Sequence, residues 1–284
     1  MLPFSIQAAS RQRLPQNMPH IFVRTLPSSF SQGAVRRTPT QISQEKAQQQ
    51  HEDYIKALSE HSDHLISIEP DEEYPDCVFV EDAAVVVGDK ALMCHSGHAS
   101  RQGEGAAVEV ALRDRMFAIF HVSDEAGARM DGGDVLFTGK EFFVGVSERT
   151  NEKGIQKLRS VFSEYPVHPV GVPSSLHLKS VVTRCGENSL CFPSTYEGKV
   201  MQQHITAVTE TGGYQYVEVP DAAAANCVYF KNKDGQSVLV YRCKDEYPAS
   251  ASILAKCKAD HHIELNNSEL AKADGALTCC SIIA

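Results

Sequence analysis

Two adjacent thiols, Cys279 and Cys280, sit in the last stretch of the sequence, Asp274-Gly-Ala-Leu-Thr-Cys-Cys-Ser-Ile-Ile-Ala284. A thiolate is an intrinsically strong nucleophile, so a thiol held at a fixed point can do covalent chemistry. The Asp-Gly turn signal and the apolar composition of 277–283 predict a buried strand there. Neighbouring strand residues face opposite ways, so one thiol can look into a pocket while the other packs. Two inert buried thiols is the competing reading. Glu81 and Asp82 lie together inside the apolar run 76–87. Buried unpaired charge is costly, so this pair marks either a strand end that opens into a site or an exposed loop. Asp131 precedes Gly-Gly, and His177 stands between two leucines. Such a histidine is either a hydrogen-bonded core residue or an acid–base group. Arg101 falls in a loop, and Arg149 at a strand-to-helix corner just before a capping Thr150 or Asn151.

The elements that must position these groups are short. Strands are predicted at 20–26, 65–68, 91–94, 130–137, 142–146, 167–172, 176–182, 216–219, 225–230, 237–241 and 263–265. Helices are predicted at 41–60, 105–119, 151–162 and 248–258. The stretch 186–215 is less readable, and 31–40 is loop-like and placed to lie over a site. Strand, strand, helix, strand recurs about every 45–55 residues, a period that suggests circular repetition of one unit. Asp82, Asp131, His177, Asn226 and Cys279 each end a strand beside apolar neighbours. In a ring of such units they converge on one axis.

Composition bounds the partners. The 284 residues are 42% hydrophobic and 22% charged, as in a globular protein, with a net charge of -9. That charge argues against nucleic acid and is compatible with a cationic small molecule. No apolar run is long enough to span a bilayer, so no membrane partner is expected. The nine cysteines include no CxxC pair, which argues against a zinc ribbon and for a reducing compartment. His261-His262 reads as a solvated pair rather than a metal site. No acid precedes Glu45, while Arg11, Arg13, Arg24, Arg36 and Arg37 do. That start admits a mitochondrial address beside the cytoplasmic one. Residues 1–17 are expected to be an extension, and 18–284 a single catalytic domain.

Six motifs in order carry a resemblance: Asp76-Cys-Val-Phe-Val-Glu-Asp82, Asp131-Gly-Gly-Asp-Val-Leu-Phe-Thr-Gly139, Phe142-Phe-Val-Gly145, Arg149-Thr-Asn151, Leu176-His-Leu-Lys-Ser180 and Leu277-Thr-Cys-Cys-Ser281. Together they resemble the dimethylarginine dimethylaminohydrolases, the animal branch above all. The resemblance runs from His20 to Ile283 and is weakest in 186–215. It implies an α/β fold, a five-module ββαβ propeller (pentein) with pseudo-fivefold symmetry, shared with arginine deiminases and amidinotransferases. It implies hydrolysis of asymmetric dimethylarginine and monomethylarginine to citrulline plus dimethylamine or methylamine, and so regulation of methylarginine inhibitors of nitric oxide synthase. It assigns Cys279 as nucleophile and His177 as acid and base. Asp82 and Asp131 would grip the guanidinium, with Glu81 nearby in support. Arg101 and Arg149 would hold the substrate carboxylate, and Asp76 its amine, helped by backbone carbonyls near Val35 and Ala273. Asp274 would orient His177 or Cys279. No cofactor is required, although zinc on Cys279 is allowed as an inhibitor. The partner is a small-molecule methylarginine, and the active unit a monomer or homodimer. Two alternatives stay open: a non-catalytic binding or sensor protein on the same propeller, and another guanidine hydrolase such as an arginine deiminase.

Overall fold

The strands group by threes, into five separate sheets. The computed structural model describes residues 19–172 and 177–284, so the expected extension at 1–17 and the first residue of the strand expected at 176–182 lie outside the described residues. Four sheets repeat one pattern. In the first, β3 (Ala84–Val87) pairs antiparallel with β4 (Lys90–Met93), and β4 pairs parallel with β5 (Ala118–His121). The helix Gly105–Asp114 makes the crossover, as a parallel pair requires. The same order returns in β6 (Val135–Phe137), β7 (Phe142–Val146), helix Glu152–Val161 and β8 (Val167–Gly171). It returns again in β9 (Thr183–Gly186), β10 (Ser189–Pro193), helix Tyr196–Val208 and β11 (Gln215–Val219). A fourth copy is β12 (Val228–Lys231), β13 (Ser237–Arg242), helix Pro248–Leu254 and β14 (His261–Leu265). The fifth sheet is built from both ends of the sequence. There β1 (His20–Arg24) runs parallel to β2 (His64–Ile68) after the helix Gln44–Ser59, and antiparallel to β15 (Ile282–Ile283).

Each module is held to the next by its own apolar cluster. Ile21 and Val23 pack with Val228, Phe230 and Val240, while Phe22, between them in sequence, faces Ala84, Met93 and Leu112. Val135 and Phe142 pack with Val85 and Leu92, and Leu136 and Phe143 with Leu190 and Phe192. Cys185 and Cys191 meet Leu239 and Tyr241. Both faces of the inner strands β1, β3, β4, β7, β10 and β13 are therefore buried, which is why they read as apolar runs, while the outer parallel strands β2, β5, β11 and β14 stay half-exposed and alternate with polar residues. This is the expected five-module ββαβ architecture.

Several expected boundaries move. The runs at 76–87, 130–137, 176–182, 225–230 and 277–283 are not strands throughout. Each contains or adjoins a 3₁₀ turn: Val80–Ala83, Gly132–Asp134, Leu178–Ser180, Ala222–Ala225 and Thr278–Cys280. Cys279 and Cys280 thus lie in a turn, and only Ile282–Ile283 is strand. The helix expected at 105–119 stops at Asp114, because Met116 adopts a left-handed φ of 66°. The chain then re-enters the sheet as the strand Ala118–His121.

The helix Glu152–Val161 is set by Asn151, whose Oδ1 accepts from Gly154 N and from Arg129 N, both at 3.1 Å, and whose Nδ2 donates to Gly127 O. Asn151→Ala should lower stability by about 1–2 kcal/mol, read as a lower urea midpoint with an unchanged slope. An unchanged midpoint would show that the cap is redundant.

Candidate active site

The five 3₁₀ turns form a ring around the axis, and polar bonds stitch neighbouring turns together. Asp82 Oδ1 accepts from Gly133 N at 3.0 Å. Asp134 Oδ1 accepts from Leu178 N at 2.9 Å. Asn226 donates from Nδ2 to Lys179 O and accepts from Thr278 N, both at 3.0 Å. Thr278 Oγ1 donates to Glu81 Oε2 at 2.9 Å and so closes the circle. Close approach demands small residues here. A Cβ on Gly132 would stand 1.9 Å from Glu81 O, and one on Gly133 only 2.6 Å from His177 Nδ1.

On one side of the ring is a cavity of about 60 Å³. Val35, Asp76, Asp82, Arg101, Arg149, His177, Ala273, Asp274 and Cys279 all line it. Nine expected site residues, from both ends and the middle of the sequence, therefore meet.

His177 is the most constrained of them. Its Nε2 bonds Asp131 Oδ2 at 3.1 Å, and its Nδ1 lies 3.8 Å from Asp82 Oδ1. Burial works against its charge, but Asp82 and the bond to Asp131 outweigh burial and push the pKa up to about 9. The imidazole is protonated at neutral pH. Asp82 is held down to about 2: burial opposes ionisation, and His177 and Arg101 override it. Arg101 donates from Nη1 to Asp82 Oδ2 at 2.8 Å and from Nη2 to Glu104 Oε2 at 2.8 Å. Burial raises Glu104 to about 7 even beside this arginine. Asp76 accepts from Val35 N at 3.0 Å, and burial raises its pKa.

Cys279 Sγ accepts from Ala276 N at 3.4 Å. Burial, together with the charges of Glu81 and Asp82, lifts its pKa well above the usual thiol range. Cys280 is 1% exposed in the apolar cluster with Leu277, and its Sγ donates to Ala276 O. The two thiols part as expected, but a turn rather than a pleat separates them.

Three expected contacts are corrected. Glu81 does not reach this cavity: its Oε1 pairs with Lys179 Nζ at 2.7 Å, and it lines the cavity on the other side of the ring. Asp131 does not line this cavity, whereas Asp82 does. Asp131 is fully buried beneath His177, with its other oxygen taken by Gly97 N at 3.1 Å. Asp274 orients neither His177 nor Cys279, because Arg37 takes its carboxylate through the backbone N at 2.9 Å and through Nε and Nη2 at 3.3 Å. Arg37, Phe79 and Gly275 line the cavity unanticipated. Of these only Arg37 had a signal, since it lies in the loop flagged at 31–40. Among the described residues, the one group of donors close enough to share an ion is Asp82, Asp131 and His177, without Cys279.

The sequence matches the family described as "N,N dimethylarginine dimethylhydrolase, eukaryotic" over residues 21–282. A Bos taurus relative, DDAH2, is 30% identical over 271 residues, covering 93% of each chain. The N(G),N(G)-dimethylarginine dimethylaminohydrolase of Pseudomonas aeruginosa is 27% identical over 267 residues, covering 93% of this chain and 98% of that one. A structure of the Pseudomonas enzyme complexed with citrulline superposes with a TM-score of 0.79 at 25% identity, over 93% of this chain and 98% of that one.

The raised His177 pKa makes a measurable claim. It lies above the ordinary 6.5, so the stability it confers is fully present below about pH 6.5 and is lost as pH rises through about 9. NMR titration should find the His177 ring titrating near 9, and lower in Asp131→Asn. The same midpoint in both proteins would remove Asp131 as its partner.

Proposed function

The chain belongs to the eukaryotic N,N dimethylarginine dimethylhydrolase family, and from that premise we propose that it hydrolyses asymmetric dimethylarginine and monomethylarginine to L-citrulline and dimethylamine or methylamine. One observation carries the reading: Cys279 and the protonated His177 face a single cavity rimmed by Asp76, Asp82, Arg101 and Arg149.

The Cys279 thiolate attacks the guanidinium carbon, and a C–S bond forms as the C=N electrons move to nitrogen. The C–N bond to the methylated nitrogen then breaks, with His177 donating the proton that the departing amine needs. Neutral His177 next takes a proton from water as the water oxygen adds to the same carbon. The C–S bond breaks, the thiolate leaves, and the ureido carbonyl of citrulline remains. One water is consumed and one amine released.

The free thiol is held protonated by burial and by Glu81 and Asp82. A guanidinium entering the cavity brings the missing positive charge and shifts Cys279 towards the thiolate, the thiol proton passing to solvent because His177 already holds one. Asp82, ionised and facing inward, receives that cation. Asp131 acts through His177. Asp76 and the carbonyls near Val35 and Ala273 take the α-amine. Arg149 and Arg101 attract the carboxylate. Arg149 is the freer, since its buried Nη1 has no hydrogen bond among the described residues and stands 3.5 Å from Asp131. Arg101 is held by Asp82 and Glu104 and chiefly fixes Asp82.

Inhibitory zinc on Cys279 would need a donor set other than the one close group among the described residues, Asp82, Asp131 and His177, since the thiol lies outside it. The biological role of such a reaction is removal of methylarginines that inhibit nitric oxide synthase. A reducing compartment, the cytoplasm, suits nine free cysteines. No helix of the described residues is long and apolar enough to cross a membrane.

Citrulline release from asymmetric dimethylarginine and from arginine tests the reading. Wild type and Cys280→Ser should release it from the methylated substrate, and Cys279→Ser should not. Release by Cys279→Ser would move the nucleophile, release from arginine alone would make the protein a deiminase, and silence in folded wild type would favour a sensor. Iodoacetamide should label Cys279 faster when a non-reacting guanidinium occupies the cavity; equal rates would remove the cation from thiol activation.

A further inference from the structure

Asn226 stands in the ring of turns but does not line the catalytic cavity, and it takes no part in the chemistry proposed for Cys279. It is buried, and three hydrogen bonds engage its amide. Nδ2 donates to Lys179 O and to Thr278 Oγ1, and Oδ1 accepts from Thr278 N, each at 3.0 Å. Thr278 N can only donate and Lys179 O can only accept, so a single orientation of the amide serves both. The backbone that carries this side chain is itself pinned. Thr183 Oγ1, buried on β9, donates to Ala225 O at 2.7 Å and accepts from Cys227 N at 2.9 Å. Both chain neighbours of Asn226 are thus tied to one hydroxyl, and the amide is aimed from a fixed base.

The groups it joins belong to the two reacting residues. His177 opens the turn Leu178–Ser180, which contains Lys179. Thr278 immediately precedes Cys279 in the turn Thr278–Cys280. One short, planar side chain therefore connects the turn of the acid to the turn of the nucleophile. Glu81 links the same turns, accepting from Thr278 Oγ1 at 2.9 Å and pairing with Lys179 Nζ at 2.7 Å. That link runs through a flexible lysine stem, which matches charge but does not fix a distance. We propose that Asn226 is a positioning residue, holding the turn of Cys279 at a set distance from the turn of His177. The inference rests on the reaction proposed above, for which nucleophile and acid must meet one substrate carbon and its departing nitrogen in a narrow geometry.

Steady-state hydrolysis of asymmetric dimethylarginine by Asn226→Ala, shown to be folded by circular dichroism at the assay temperature, tests this. kcat should fall by about tenfold or more, the scale of a small misplacement of reacting groups. KM should stay within about twofold of wild type, because no substrate contact is removed. Iodoacetamide, which needs no turnover, should label Cys279 several times faster in the variant as its turn loosens, with Cys280 unchanged. An unchanged kcat, a loss confined to KM, or equal labelling of Cys279 would each overturn the proposal. If wild type itself releases no citrulline, the proposed reaction fails, and the labelling comparison alone decides whether Asn226 holds the turn of Cys279. Should Asn226→Ala not fold, Asn226→Asp keeps the size and the acceptor for Thr278 N. The introduced carboxyl cannot donate to Lys179 O when ionised and can when protonated. The kcat of Asn226→Asp relative to wild type should therefore be low at neutral pH and recover as pH falls; a ratio independent of pH would overturn the proposal.

Discussion

A positive charge buried at the centre of a protein must be met by negative charge on fixed supports, and here the charge is on His177. Its two carboxylates come from different places in the chain, Asp82 from the turn before β3 and Asp131 from just before the turn that leads into β6. Each is fixed in turn. Asp82 is held by Arg101 and by the Gly133 amide, and Asp131 by the Gly97 amide. The result is a line of alternating charges, Glu104, Arg101, Asp82, His177, Asp131 and Arg149, spanning three modules. Such a line is balanced along its length, so it survives low dielectric where any one member alone would not.

Cys279 stands outside that line. Every cation nearby is already committed to an acid, and the carboxylates closest to the thiol raise its pKa. The resting cavity thus contains an acid ready to act and a nucleophile that is not. The missing component has the charge of the proposed substrate, which ties reactivity to occupancy and leaves the empty site quiet toward adventitious electrophiles.

Much of this was legible in the residues. The convergence of Asp82, Asp131, His177, Asn226 and Cys279 on one axis follows from the repeat, and the motifs named the family. The features that stayed hidden have physical causes. A three-residue 3₁₀ turn has no periodicity of its own, so the apolar residues flanking Glu81-Asp82 and Cys279-Cys280 fuse with the following strand into one apparent run. The helix ending at Asp114 gave no stop signal, because Met116 rather than glycine occupies the left-handed position. The partners of Glu81, Asp131 and Asp274 lie far off in sequence, at Lys179, His177 and Arg37, and no local pattern encodes them.

The pairing of β1 with β15 has a kinetic side. Ile21 meets Ile283 and Phe22 meets Ile282, contacts between residues at nearly the greatest separation the chain permits. Loop-closure entropy makes such contacts the most expensive to form early, whereas each of the other four sheets draws on one local stretch. Four blades can assemble while the wheel is still open, and the fifth completes it. Thr278 and Cys279 enter the ring with that last blade. Bringing the nucleophile to its acid thus depends on the costliest closure in the chain, and a chain that has not made it lacks the assembled chemistry of the finished protein.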